Sequence, residues 1–541
     1  MQAFLSIYGM ADWILRGVSM VAQTVAVGGA LYLPFMLAPL EGPASGRVGL
    51  WRFCRRVLVS SALVLCLGQA LTAGALTAFL MGSTGADLAT AMSADAVIFD
   101  LLSACAAFAL ASVARRASGA TAALVLLSVV LVGAHAGVTH AASRSQPAAA
   151  LLAAETLHLF ALAAWIGGVP YFIASLRMLE DRGQRAAVAA RFSLVSLAAV
   201  ALLVATGVFM SVPYVGTPEG LYQTTYGLLL GAKAVLLALL LCMGAVNLHA
   251  VRRQRRDGCA ALRSLPVLAE AEVGVGVIAI LCAVALASSP LAADTRAARP
   301  DASEISKRFE LAWPRLASPA PPPLAADGLR GPSPASAAGG DVFEDETARS
   351  PFDIAWSEAH HHYAALFVVA TGLVALVSRS GRLGRLGRRW PLLFLALAAY
   401  LFIVADEDAW PLGPTGFFES LANPRIAQHK LMIALVAALA LVEWRAQAKK
   451  FRAAWPSFIF PLTIAGAAAL LLTHYGHSGD KQEVLVEISH TPVALLGVIA
   501  AAARWLELRL PSPALGRVAG LVWPVAFIAA GAVLLLYRES A

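Results

Sequence analysis

The sequence predicts an all-α fold: a polytopic membrane helical bundle of about fourteen transmembrane helices. Three observations carry this. Of the 541 residues, 59% are hydrophobic and 14% charged, against about 25% charged in a soluble chain. Apolar runs of roughly 20 residues recur, long enough to span a bilayer as helices. Lys and Arg cluster in every second short loop, as cytoplasmic loops do.

The runs fall at residues 12–38, 53–80, 95–113, 119–142, 150–178, 190–213, 224–250 and 267–289, then 357–378, 389–406, 424–444, 456–474, 484–507 and 517–538. The first lacks a basic leader and is too long for a signal peptide, so it reads as a retained helix. Basic clusters follow the odd-numbered runs: Arg252, Arg253, Arg255 and Arg256 follow the seventh, and Arg379, Arg382, Arg385, Arg388 and Arg389 follow the ninth. Residues 81–94 and 213–223 hold no Lys or Arg. The alternation puts both termini on the outer, periplasmic side.

Three regions follow. Residues 1–290 form an eight-helix membrane domain. Residues 291–356 form a periplasmic linker rich in Pro and Ala, with nine prolines from Pro300 to Pro351. Its composition predicts extended chain, with room for a small folded piece around Phe309–Trp313. Residues 357–541 form a six-helix membrane domain.

The net charge of +8 does not imply nucleic acid, because the basic residues are spread over short loops. The six cysteines form no Cys-x-x-Cys pair, and no disulfide framework or thiolate metal site is expected.

Ten of the eleven histidines map to the outer side; only His249 maps to the inner one. Histidine is costly in lipid, so a one-sided ring of it marks a site. His135 and His140 close the fourth run. His158 lies about eight residues into the fifth, ~12 Å below the boundary, where it can face His135. In the second half His360, His361 and His362 open the ninth run, His429 starts the eleventh, His474 and His477 close the twelfth, and His490 starts the thirteenth. Asp406, Glu407 and Asp408 close the tenth run on the same side.

Three histidines follow a glutamate at i+3: Glu155/His158, Glu358/His361 and Glu487/His490. Residues i and i+3 share a helix face, and paired Glu-x-x-His motifs ligate metals in helical bundles. The candidate metal ligands are therefore His135, His158, His361, His362, His429, His474 and His490, with Glu358 and Glu487. The plain alternative for the glutamates is a helix N-terminal carboxylate that favours the macrodipole. Met81 and Met92 flank an outer loop; thioether suits Cu(I), although methionine also fills gaps in apolar packing. Arg16, Asp100 and Lys233 lie deep in runs, where ionisable groups pair or line a pathway; Lys233 with Asp100 is a candidate pair.

The stretches ETLHLFALAAWIGGVPYF (155–172), ARFSLVSLAAVALLVATGVFMS (190–211) and TYGLLLGAKAVLLALLLCMGAVN (225–247) resemble the membrane core of the copper resistance D (CopD) family. SEAHHHYAALFV (357–368), WPLGPTGFFES (410–420), QHK (428–430), LLLTHYGH (470–477) and EISHTP (487–492) resemble an extension found in some CopD-type proteins. The resemblance implies a bacterial inner-membrane protein, not an enzyme, that takes up periplasmic copper, often beside a carrier of the CopC type. It carries over His135, His158 and Lys233 in the first half, and His361, His362, His429, His474 and His490 in the second. The family's methionine-rich outer segments are missing: the linker holds no Met and no His.

Two other classes use the same residues. A membrane redox protein would ligate haem between His135 and His158, or a di-metal centre at the Glu-x-x-His pairs. A copper chaperone for oxidase assembly would use the outer sites without a path through the membrane.

Overall fold

The structure is a computed structural model that describes residues 2–40, 46–116, 120–143, 148–257, 264–295, 299–319, 351–384, 386–406, 409–421, 423–448, 455–473 and 481–539. Among them the chain is predominantly helical. One isolated bridge, between Ala409 and Thr415, is the sole extended pairing described. Twelve helices are long and apolar enough to cross a membrane; two further apolar helices, Thr121–Ala136 and Trp455–Leu471, are shorter. Each of the fourteen predicted runs coincides with one of these helices. The protein is a multi-pass membrane protein with a helical-bundle fold.

The first half contains α1 (Gln2–Tyr32), α2 (Arg47–Thr84), α3 (Asp95–Arg116), α4 (Thr121–Ala136), α5 (Ala148–Leu162), α6 (Val169–Met178), α7 (Arg182–Val215), α8 (Thr225–Asp257) and α9 (Leu265–Ser288). Lipid tails are as apolar as Leu, so packing fit between helices, rather than escape from water, holds such a bundle together. Small residues let backbones meet. α5 and α6 are one span interrupted by a π-helical turn, Ala163–Gly167. A Cβ on Gly167 would sit 2.0 Å from the Thr24 carbonyl oxygen of α1, and one on Gly28 would sit 2.3 Å from the Gly167 carbonyl carbon. Tyr171 closes the same crossing, its hydroxyl donating to the Val25 carbonyl at 3.0 Å. The Trp-Ile-Gly-Gly stretch is thus a helix-crossing device.

The second half contains α11 (Pro351–Ser378), α12 (Pro391–Val404), α13 (Pro424–Gln447), α14 (Ile459–Leu471), α15 (Lys481–Arg509) and α16 (Pro513–Leu535). α16 packs along α11 and α15, and α12 along α13. An aromatic box of Trp390, Phe394, Phe460, Trp523 and Phe527 forms its core. The Arg504 guanidinium lies 5.5 Å from the Phe460 ring and pairs with Glu443 at 2.8 Å and Glu507 at 2.7 Å. A buried cation is tolerable only when so compensated. The halves touch: α15 packs on α8 and α9, and Ala468, Leu472, Ala494 and Val498 join the core of the first half.

Between the halves, residues 299–319 cross the histidine-bearing end as a strap. Its helix α10 (Ala302–Arg308) starts at a capping box of Asp301 and Glu304. The folded piece therefore lies one turn before the Phe309–Trp313 stretch that composition suggested. Leu311 and Trp313 are 84% and 95% exposed. Backbone and arginine contacts hold the strap: Arg538 donates to the Ala312 and Trp313 carbonyls at 2.7 and 3.1 Å, and Lys481 pairs with Glu304 at 2.5 Å.

Candidate metal-handling sites

Eight helices of the first half line a cavity of about 520 Å³. α1 supplies Asp12 and Arg16, α3 Asp100, α4 His135, α5 Glu155 and His158, α7 Met210, and α8 Lys233. His135 and His158, expected to face one another, do share this cavity. Arg16 donates to Asp12 at 2.7 Å. Asp100 is buried, with Arg16 and Asp12 as its charged neighbours, and its Oδ2 has no hydrogen-bond partner among the described residues. Lys233 lies instead within electrostatic reach of Glu155 and His158. Asp100 and Lys233 therefore line one cavity with separate partners; the expected pairing of the two is not what the fold builds.

The His158 ring is held in one tautomer. Thr206 donates its hydroxyl hydrogen to the Leu202 carbonyl at 2.7 Å, so its oxygen accepts from His158 Nδ1 at 2.9 Å. Nε2 is then the basic nitrogen. Ligating imidazoles are oriented this way, through the nitrogen that does not touch the metal. No sequence signal marks Thr206, which is 48 residues away on a different helix.

The second half repeats this arrangement three times. His361 Nδ1 donates to the Ser357 carbonyl at 2.8 Å, and His490 Nδ1 to the Val486 carbonyl at 2.9 Å, each one turn back on its own helix. His429 Nδ1 donates to Asp406 Oδ1 at 2.7 Å. In all three, Nε2 is the basic nitrogen. The His361 and His490 rings lie 5.6 Å apart at 84°, and His429 is within electrostatic reach of both. Pro492 lacks the N–H that would bond Ile488, loosening the helix in the turn that carries His490. Tyr537 stacks on His361 with ring centroids 4.2 Å apart, and its hydroxyl and that of Ser357 both donate to Glu539. The sequence did not point to Ser357, Tyr537 or Glu539; their relevance comes from a chain end folding back over α11.

Three predicted ligands are placed otherwise. His362 is fully buried with both nitrogens engaged: the Arg315 N–H donates to Nδ1 at 2.8 Å, and Nε2 lies 3.0 Å from the Tyr537 carbonyl and 2.7 Å from Arg538. Glu358 accepts from Arg315 at 3.0 Å and from the Glu539 N–H at 2.9 Å. Both serve to anchor the strap and the C-terminal turn. Glu487 is within electrostatic reach of Cys282 on α9, on the side of α15 that meets the first half. In the Glu358/His361 pair the carboxylate is thus engaged away from the histidine, whereas Glu155 lines the same cavity as His158. His360 bonds Tyr400 and packs on Trp356. Met81 and Met92 are exposed. His474 and His477 lie outside the described residues, as do Glu407 and Asp408. Among the described residues, no group of three or more His, Cys, Asp or Glu side chains converges closely enough to hold a metal ion.

Fold and side chains together define a polytopic helical membrane protein with oriented histidines gathered at one end. Residues 186–286, which span α7 to α9, match the family model of copper resistance protein D. A 139-residue stretch is 27% identical to the copper transport protein CutJ of Bacillus subtilis (strain 168). That stretch is 25% of this chain and 25% of the relative's length. No solved structure matches the chain.

Proposed function

We propose that the protein takes up or transfers copper from the periplasm across the bacterial inner membrane, without enzymatic chemistry. The observation that carries this reading is the common tautomer of His158, His361, His429 and His490, each holding its Nδ1–H on an oxygen and presenting a basic Nε2. Imidazole nitrogen is a ligand for copper. The CopD match and the name of the CutJ relative support copper as the cargo.

The ion enters at the histidine-bearing end, which the basic loops assign to the periplasmic side. His361, His429 and His490, with His474 as the further candidate by sequence, receive it. His135 and His158 hold it in the cavity, and Asp100 and Lys233 form the polar lining of the way inward. Sparse ligation suits the task, because a site on a transport path must bind weakly enough to release. A periplasmic carrier of the CopC type is the expected donor.

The test is the metal content and absorption spectrum of the purified protein, with copper titration of His158→Ala and His429→Ala. Each variant is expected to lose one copper equivalent and the corresponding radiolabelled uptake. A Soret band from haem between His135 and His158, or unchanged copper binding in both variants, would overturn the proposal.

A further inference from the structure

A second cavity, of about 630 Å³, lies between the two halves and has no place in copper handling. Its walls come from α6 and α9 on one side and from α14 and α15 on the other, and they are apolar over nearly their whole length. Leu462 on its rim is 60% exposed. The cavity follows α9 from Glu270 to Leu281, about 16 Å at 1.5 Å per residue. One leaflet contributes half of a hydrocarbon core about 30 Å thick. The cavity has the length of one acyl layer.

Its polar end is charged. Glu270 accepts from both Arg177 and Arg509, the latter through two bonds of 2.9 and 3.0 Å, and from the Trp505 indole N–H at 3.1 Å. Two guanidiniums on one carboxylate leave a net charge of +1. Both arginines keep surface for a further partner, with side chains 46% and 34% exposed. Glu270 stands near the start of α9, and Arg177 and Arg509 near the ends of α6 and α15. All three belong to the basic end of the bundle, away from the histidines. Basic pockets between helices at such an end take anionic lipid head groups.

We infer that this groove binds one anionic phospholipid of the cytoplasmic leaflet, its acyl chains between the halves and its phosphate on Arg177 and Arg509. The lipid fills the contact between the CopD-type half and the second half. Two glycines on the groove walls allow a direct test. A Cβ at Gly274 or Gly466 would meet no atom within 4 Å, so a larger side chain there fills the groove without breaking a helix contact.

The experiment compares the full-length protein extracted from vesicles of phosphatidylglycerol mixed with phosphatidylcholine, counting retained lipids by native mass spectrometry. Wild type is expected to keep one phosphatidylglycerol that survives washing with inorganic phosphate. Arg177→Ala/Arg509→Ala is expected to lose it at least tenfold more readily, and Gly466→Phe is expected not to retain it. Equal retention of the two lipids by wild type, displacement by inorganic phosphate, or undiminished retention in Gly466→Phe overturns the assignment. Retention by the double arginine variant overturns the head-group contact.

Discussion

In the first half, His158 opens onto a cavity of about 520 Å³ and is held by a hydroxyl. In the second, His361 stacks on Tyr537, His490 meets both rings edge to face, and His429 is held by a carboxylate. The first arrangement supplies room and few ligands; the second supplies ligands that are closely packed. A neutral acceptor leaves the imidazole less basic than an ionised one does. The contrast suits a relay in which the second group captures the ion and the first passes it inward. The supports differ as well. Backbone crossings of α1 with α5 and α6 shape the first site, whereas ion pairs and the strap brace the second.

The largest break in this comparison comes at Gly167. A methyl group there meets the Thr24 carbonyl at 2.0 Å. Neither backbone can yield as a flexible side chain would, so Gly167→Ala is expected to cost about 3 kcal/mol, the upper end for overpacking. Thermal unfolding in detergent measures the loss. Copper titration of the surviving protein should show the first site weakened and the second intact. Equal weakening of both sites would mean that the halves do not hold their histidines independently.

The hydropathy of each span was readable because a bilayer demands some twenty apolar residues in a row. The histidine clusters were readable because their cost in lipid singles them out. Partnerships were not. Glu358 and His361 share a face by spacing, yet Arg315 and the Glu539 backbone claim the carboxylate; neither is local to α11. The two glycines of Trp-Ile-Gly-Gly stand out as a pattern, but the reason for the first is Thr24, more than 140 residues earlier, and the second faces Phe192. His362 was indistinguishable from His361 in sequence, and one residue's rotation around the helix turns it toward Arg315 and Tyr537.

A smaller effect tests the two acceptors directly. Thr206→Val removes the oxygen that holds His158 and keeps the shape. Asp406→Asn keeps an acceptor for His429 and removes the charge. Loss of such an outer partner weakens metal binding by about 10- to 100-fold. Thr206→Val is expected at the upper end and Asp406→Asn at the lower, each confined to its own half. Competition titrations with a copper chelator resolve both. Unchanged affinity in both variants would remove the tautomer argument from the proposed function.

The smallest effect concerns the strap, which only the second site has. Lys481 pairs with Glu304 at 2.5 Å, with side chains 43% and 22% exposed, so the pair is a surface one worth at most about 1 kcal/mol. The hydrogen bond from Lys481, and then that from the Asp301 N–H, hold the Glu304 carboxyl below its ordinary value of 4.5. A carboxyl lowered in the folded state contributes stability that is present above 4.5 and lost as pH falls through the lowered value. Hydrogen exchange at residues 302–308 should therefore quicken below about pH 4.5 in the wild type. Lys481→Ala should raise exchange at neutral pH and flatten that step, leaving the part due to the Asp301 cap. Acid-induced exchange identical in both proteins would show that Lys481 does not hold the strap, and would leave the second site braced by Arg315 and Arg538 alone.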